Sequence, residues 1–321
     1  MFSGFPAPII GEHINGVLAR YCVWEGNRSF RRVIRFVTSS DYELNNKYFW
    51  RENFEKIWRL YEGILPREQL LASHTAFRFN SRFLPKVLVQ DISEAATNQT
   101  LSFSGVKNIA FNNVWRWCPV CVEQDKLNVG TRYWHVIHQI PTILRCPSHE
   151  VKLIYGCTCK GYHLTKLANH PLPPNDKKCP LCHKIIQTNI VGLSDEELWL
   201  ELLTLEVIKK KPQSRLNKIK NALKVALSLP NSAEKLSKSH RVSLRKYQSV
   251  LDYLVLDWHY KNFFEFPNFN HESSTSPYCI NLTMLIYSNK YFAPLSYIAS
   301  LRMFYSQSEV ENILLGEHCG L

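Results

Sequence analysis

Seven of the ten cysteines fall between positions 118 and 182, and six of those seven sit in pairs one or two residues apart. Cys118-Pro119-Val120-Cys121 is followed, after 24 residues, by Cys146-Pro147-Ser148-His149. Cys157-Thr158-Cys159 is followed, after 19 residues, by Cys179-Pro180-Leu181-Cys182. A two-residue gap turns both ligands of a knuckle toward one ion, and two knuckles complete a tetrahedron around it. The one-residue gap at Cys157 and Cys159 is tighter. Proline after the first cysteine stiffens three of the knuckles. Soft thiolates favour zinc or an iron–sulfur cluster over a hard cation. The spacing therefore predicts two Zn²⁺ ions, each with four protein ligands and no open position, hence structural and not catalytic. The competing reading, redox-active or buried free thiols, fits four spaced pairs poorly. His149 is the least secure of the eight ligands, and His135, His138 and His183 are its alternatives. Cys22, Cys279 and Cys319 have no partner at metal spacing and read as ordinary thiols.

A second chemistry lies downstream. The chain carries 39 Lys and Arg against 27 Asp and Glu, a net charge of +12 over 321 residues. Residues 207–246 hold twelve of those bases: Lys209, Lys210, Lys211, Arg215, Lys218, Lys220, Lys224, Lys235, Lys238, Arg241, Arg245 and Lys246. The only acid there is Glu234, so this block accounts for +11 of the total. A charge run is usually a solvated face. This density within helical patterning points instead to phosphate contact with nucleic acid, Lys and Arg positioning the duplex without reading bases. The expected DNA contacts are these bases other than Lys235, with Lys218, Lys220 and Lys224 singled out on one helix.

The elements that must position these groups fall into three regions: 1–105, helical; 106–192, the zinc-binding module; and 193–321, helical and basic. In the first, Ile14, Val17, Leu18 and Tyr21 have helical spacing over Glu12–Trp24. A second helix, Ser29–Val37, follows a turn at Gly26-Asn27, compatible with a helix-turn-helix. Further helices are expected over Tyr48–Tyr61 and Pro66–His74, and a loop over Asp91–Gly105. The middle region predicts short strands and tight turns. In the last, Ser194-Asp195-Glu196-Glu197 has capping-box form at the head of a helix that ends in Lys209–Lys211. Helices are expected over Ser214–Leu229, Val242–Asp257, Met284–Ser288 and Pro294–Tyr305. The fold class is thus mainly α, with a small β-containing, double zinc-ribbon-like module between N- and C-terminal helix-turn-helix-like domains.

Composition narrows the function classes. Hydrophobic residues are 45% and aromatic residues 12% of the chain, which excludes a mainly disordered protein. The segment Met1–Pro8 lacks the basic and apolar regions of a secretory signal. No stretch approaches the roughly 18 apolar residues of a membrane span. The expectation is a cytoplasmic protein. A zinc nuclease or hydrolase is disfavoured, because the ligand sets are closed and no carboxylate cluster accompanies them. Tyr133 and Trp134 read as packing for a small module, and His138 lacks the nucleophile or open metal position that a catalytic base needs.

The run Cys118-Pro-x-Cys121, Tyr133-Trp134-His135, His138-Gln139, Cys146-Pro-x-His149 and Leu153 resembles the TniQ/TnsD family, target-site selectors of multi-component transposons. Glu12, Leu18-Ala19-Arg20-Tyr21 and Gly26-Asn27 look like that family's first helix and turn. His74-Thr75 with Phe83-Leu84-Pro85 looks like a second segment, and Ala293–Phe304 resembles a stretch of longer TnsD-type proteins. The segment 288–292 is less basic than is usual there, and those proteins continue beyond 321, which suggests a short member or a missing C-terminal part. The resemblance implies a non-catalytic, bacterial, nucleoid-associated protein that binds double-stranded attachment-site DNA and recruits a TnsC-type AAA+ ATPase. Its alternative is a TniQ-like adaptor joining an RNA-guided CRISPR surveillance complex (Cascade with its guide RNA) to that ATPase. A homodimer is compatible with either.

Overall fold

The computed structural model describes residues 5–26, 30–38, 52–94, 103–104, 109–111, 114–157, 159, 167, 171–174, 178–179, 181–186, 192–256, 259–264 and 280–316. Among them the chain forms helices α1 (Ile14–Trp24), α2 (Phe30–Thr38), α3 (Glu52–Trp58), α4 (Arg67–His74), α5 (Phe77–Asn80) and α6 (Lys86–Glu94). The helices α7 (Pro119–Val129), α8 (Asp195–Lys209), α9 (Leu216–Ala226), α10 (Lys238–Leu256), α11 (Leu282–Tyr287), α12 (Pro294–Arg302) and α13 (Gln307–Leu315) follow. The strands are two short ones, β1 (Phe103–Ser104) and β2 (Tyr291–Phe292), paired in parallel. The molecule is mainly helical. Among the described residues of 106–192 the expected short strands are reduced to isolated bridges, such as Trp117 with Ile154 and Arg145 with Lys152. The expected loop over Asp91–Gly105 is helical in its first residues, because Leu88, Val89 and Ile92 share a buried face that carries α6 through Glu94. Phe103 and Ser104, in the same expected loop, form β1; residues 95–102 and 105, the proposed cap Ser29, and Cys279 and Cys319 lie outside the described residues.

The chain divides into two compact units, residues 1–77 with 111–193, and residues 78–110 with 194–321. In the first unit, α1 buries almost every residue from Ile14 to Cys22. Its approach is fixed by backbone pairing with the segment after α7. His13 N–H donates to Trp134 O at 2.7 Å, and Val136 N–H to Gly11 O at 2.8 Å. The buried Glu12 carboxylate accepts from Arg20 Nε at 2.9 Å, Arg20 Nη2 at 2.7 Å and Ile9 N–H at 3.0 Å. A buried charge is tolerable only when paired and hydrogen-bonded in this way. His74 Nδ1 meets Glu12 O at 2.7 Å, and the Thr75 hydroxyl caps the turn into Phe77. The family-like residues Glu12, Arg20, His74 and Thr75 thus act as one internal clamp. Trp134 is fully buried among Trp115 and Trp117, with ring centroids 5.4 and 6.4 Å away.

In the second unit, α9 packs against α11, α12 and α13, and α10 against α11 and α12. Ile219, Leu223, Leu251, Leu285, Ile298, Leu301, Val310 and Leu314 fill the space between them. The capping box at Ser194 and Glu197 is formed, and a second one, Ser306 with Glu309, starts α13. Glu196, expected only as an acidic first-turn residue, is buried. It accepts from Tyr260 Oη at 2.6 Å, Arg302 Nε at 2.9 Å and Gln307 Nε2 at 3.1 Å. This network ties α8 to α12 and α13. Residues 78–84 belong to this unit and are held by backbone bonds, including Arg215 N–H to Arg82 O at 2.8 Å.

Candidate metal centres and basic face

The first cluster is built on a helix start and a hairpin. Pro119 occupies the first turn of α7, where its missing N–H costs nothing, and Cys118 is the N-cap. The Cys121 N–H donates to Cys118 Sγ at 3.5 Å, which turns both thiols to one side. Cys146 opens a tight hairpin: its N–H donates to Val151 O at 2.8 Å, and Glu150 adopts a positive φ of 54°. This returns His149 to the cluster. His149 Nδ1 lies 3.5 Å from Cys118 Sγ, 3.3 Å from Cys121 Sγ and 3.4 Å from Cys146 Sγ. Cys121 Sγ and Cys146 Sγ are 3.6 Å apart.

The second cluster repeats that hairpin. Cys179 N–H donates to Lys184 O at 2.9 Å, His183 has a φ of 56°, and Cys182 N–H donates to Cys179 Sγ at 3.5 Å. The flanking bridges also correspond, Arg145 with Lys152 and Lys178 with Ile185. His149 therefore stands where Cys182 stands in the second hairpin, three residues after the opening cysteine. Cys157 Sγ is 3.7 Å from Cys182 Sγ, and Cys159 Sγ is 3.8 Å from Cys179 Sγ. In each set of four, all donor atoms lie within 4.8 Å of one another. Zn–S bonds of about 2.3 Å give tetrahedral edges of roughly 3.8 Å, so both sets fit such an ion.

The electrostatics of the first cluster suit a cation. Hydrogen bonds from Cys118 and Cys121 hold the Cys146 thiol far below its ordinary range, and the same contacts, aided by burial, drive Cys121 far above it. Thiols packed this closely disfavour one another's ionisation, whereas a metal ion deprotonates each coordinating thiol outright. The clusters differ in burial. Cys118, Cys121 and Cys146 are buried, whereas Cys159 is exposed and Cys182 half-buried.

Several residues that spacing left undefined support the first cluster. Gln124 Oε1 accepts from His149 Nε2 at 3.0 Å, so Nδ1 faces the thiols. His138 is buried with Nε2 3.9 Å from Cys121 Sγ, and burial lowers its pKa to about 4. His135 pairs with Asp125 at 2.9 Å and stacks on Tyr133, away from the thiols. Gln139 clamps the backbone of Arg116, accepting from its N–H at 3.0 Å and donating to its carbonyl at 2.8 Å. Arg116 itself is buried and donates to Ile143 O and Ile140 O at 2.6 and 2.7 Å. Cys22 is buried too, its thiol pushed up to about 12 by burial.

The basic block divides by exposure. Lys220 is half-buried and donates to Ser288 O at 2.7 Å, and burial pulls it below the usual lysine range. Lys224 donates to Asn231 O at 3.1 Å and sits 5.4 Å from the Tyr287 ring. Arg215 donates to Leu315 O at 3.2 Å. Its guanidinium occupies the space a side chain at Gly316 would need, and Gly316 also ends α13 at a φ of 73°. Lys209 is exposed but pairs with Glu206 at 2.6 Å. Lys211, Lys218, Lys238, Arg241, Arg245 and Lys246 are exposed, and Lys210 is half-exposed. Four of the exposed bases, Lys238, Arg241, Arg245 and Lys246, occupy the first half of α10. By contrast, α13 carries Glu309 and Glu311 and no Lys or Arg. Of the three expected contacts Lys218, Lys220 and Lys224, two thus have ammonium groups that cap carbonyls of their own unit.

Among the described residues no helix is long and apolar enough to cross a membrane. A family model described as TniQ matches residues 4–153. It takes in the α1 clamp and the whole first cluster, and ends before the second cluster and the basic helix. No curated protein matches the chain.

Proposed function

Residues 4–153 are a TniQ domain, and on that premise we propose that this chain selects the target site for a transposon. The domain ties the chain to transposition, in a family of non-catalytic accessory proteins. In the proposed role the two Cys/His clusters hold Zn²⁺ as structural ions, through Cys118, Cys121, Cys146 and His149 and through Cys157, Cys159, Cys179 and Cys182. Each ion supplies folding energy to a segment with little regular structure. The chain then grips double-stranded DNA through the exposed bases of α10, helped by Lys211 and Lys218, and recruits a TnsC-type AAA+ ATPase.

The observation that carries this reading is the first half of α10. Lys238, Arg241, Arg245 and Lys246 share an exposed stretch with no acid among the residues from 235 to 251. Each phosphate neutralised on B-DNA steepens the dependence of log affinity on log salt by about 0.9. Four contacts give a slope of about −3.6, and the full exposed set a steeper one. Binding of a fluorescent duplex, measured across a salt series, tests this. Replacing Arg241, Arg245 and Lys246 with Glu is expected to abolish binding with zinc content unchanged. Replacing Lys220 and Lys224 instead is expected to cost stability more than affinity. A flat salt dependence overturns the reading.

One observation favours a second reading, a TniQ-like adaptor on an RNA-guided surveillance complex. Arg215, Lys220 and Lys224 serve their own unit, which leaves a smaller phosphate footprint than the charge total implies. In that role base pairing reads the target and the chain meets protein surfaces. Absence of duplex binding by the free protein at physiological salt, together with retention on the guide-RNA complex, supports it.

A further inference from the structure

The start of α10 and the start of α11 leave a cleft of about 340 Å³ between them. Its wall on α10 is the stripe Arg241, Leu244, Arg245 and Gln248; Leu236, Asn281 and Thr283 complete it. Gln248 is buried and fully committed. It donates to Ile280 O at 2.8 Å and to Asp252 at 3.0 Å, and accepts from Leu282 N–H at 2.9 Å, which fixes one end of the cleft. Asn281 uses its Oδ1 to cap α11, accepting from Met284 N–H at 2.9 Å, so its amide N–H groups remain as donors.

The charges at the mouth are unbalanced. Arg241 and Arg245 are one helical turn apart and exposed, and among the described residues neither guanidinium has a carboxylate partner. Like charges at this spacing repel unless an anion joins them. No acid lines the cleft, so it suits an anion and repels a cation. Two guanidinium forks are the usual partners of a phosphate. Leu236 and Leu244 add apolar lining, and Thr283 and Asn281 add hydrogen-bonding groups. The lining is mixed, two leucines among two arginines and three neutral polar residues, and the volume is at the lower end of the range for small-molecule sites.

We infer that the cleft receives one nucleotide unit, its phosphate between Arg241 and Arg245 and its base against Leu236 and Leu244, with Thr283 and Asn281 at the base edge. The surrounding exposed bases Lys235, Lys238 and Lys246 favour a nucleotide belonging to a nucleic acid strand over an acidic peptide. In a duplex the base faces are stacked and hidden, so only an unpaired nucleotide can present both parts. The inference rests on the DNA contact proposed for α10 and extends it: the protein prefers nucleic acid carrying an unpaired nucleotide.

The test is fluorescence anisotropy on the full chain with zinc bound. It uses a blunt duplex, the same duplex with one unpaired nucleotide, and adenosine monophosphate as competitor. The duplex with the unpaired nucleotide should bind about tenfold tighter, a difference of about 1.4 kcal/mol. Thr283→Phe, which fills the cleft, should erase that preference and leave blunt-duplex affinity intact. Leu236→Trp does the same from the rim and replaces Thr283→Phe should that variant misfold by circular dichroism. Displacement of the unpaired-nucleotide duplex alone by the monophosphate identifies a free nucleotide as an equal ligand; no displacement identifies the strand. Equal affinity of the wild-type chain for both duplexes overturns the inference while leaving the DNA-binding reading standing. So does a preference that survives both filling variants. Binding of the monophosphate or the unpaired strand without any blunt-duplex binding does the reverse.

Discussion

At the scale of single residues, the point that spacing left open was His149, and the structure shows why. Cysteines announce themselves by type and interval. A histidine near them does so only when its hairpin can be superposed on another, as Cys146–Val151 can on Cys179–Lys184 through the same backbone bond and the same left-handed fifth residue. His135 and His138, equally eligible by composition, are held elsewhere, by Asp125 and by burial beside Cys121. Gln124 carries no signal in the sequence at all, yet its carbonyl oxygen fixes which nitrogen of His149 faces the thiols. Such outer partners typically hold tenfold to a hundredfold of metal affinity. With the proposed zinc ions loaded, Gln124→Ala is expected to weaken the one at the first cluster by at least about tenfold, measured by competition with a chromogenic chelator. The other ion should be unaffected. Loss of both together would mean that the clusters do not load independently.

At the scale of elements, helical periodicity predicted most helices, because the apolar rows of α1, α8, α9 and α12 each meet a core. What it could not show was which polar neighbours come near from distant sequence. The face of α9 that bears Lys220 and Lys224 looks open in projection, but Ser288 O and Asn231 O approach it. Nor does periodicity explain a glycine inside α1. Gly16 has ordinary helical backbone, where alanine would normally gain about 1 kcal/mol. Its place is taken up by packing: a methyl group there would lie 3.2 Å from Trp134 Cβ and 3.4 Å from Trp134 Cδ1. Trp134 has no room to retreat, being fully buried, flanked by Trp115 and Trp117 and bonded through Nε1 to Pro171 O at 3.1 Å. Overpacking of this kind typically costs 1–3 kcal/mol. Gly16→Ala is therefore expected to lower stability by about 1 kcal/mol net, read as a fall in Tm on thermal denaturation.

At the scale of the whole molecule, the two units depend on different forces. The second unit is a set of helices with a shared apolar core and the buried Glu196 network. The first unit has helices too, but from residue 130 to 186 its described backbone is held mainly by isolated bridges, turns and the two hairpins that open on Cys146 and Cys179. Structural zinc contributes on the order of 10 kcal/mol per site in small metal domains, comparable to the whole stability of an ordinary domain. Chelation is thus expected to act on one unit only. Hydrogen exchange with and without a strong chelator measures this residue by residue. The amides of Trp117, Cys146 and Ile154, which close the bridges and the first hairpin, should lose protection when metal is stripped. Those inside α8, α9 and α12 should keep theirs. Because Cys159 and Cys182 are accessible while Cys118, Cys121 and Cys146 are buried, loss should come in two stages. The exposed cluster goes first, with little change at Trp117, and the buried one follows, with collapse of protection at Trp117 and Ile154. Uniform loss of protection across both units would instead mean that the helical unit draws its stability from the metal-bearing one.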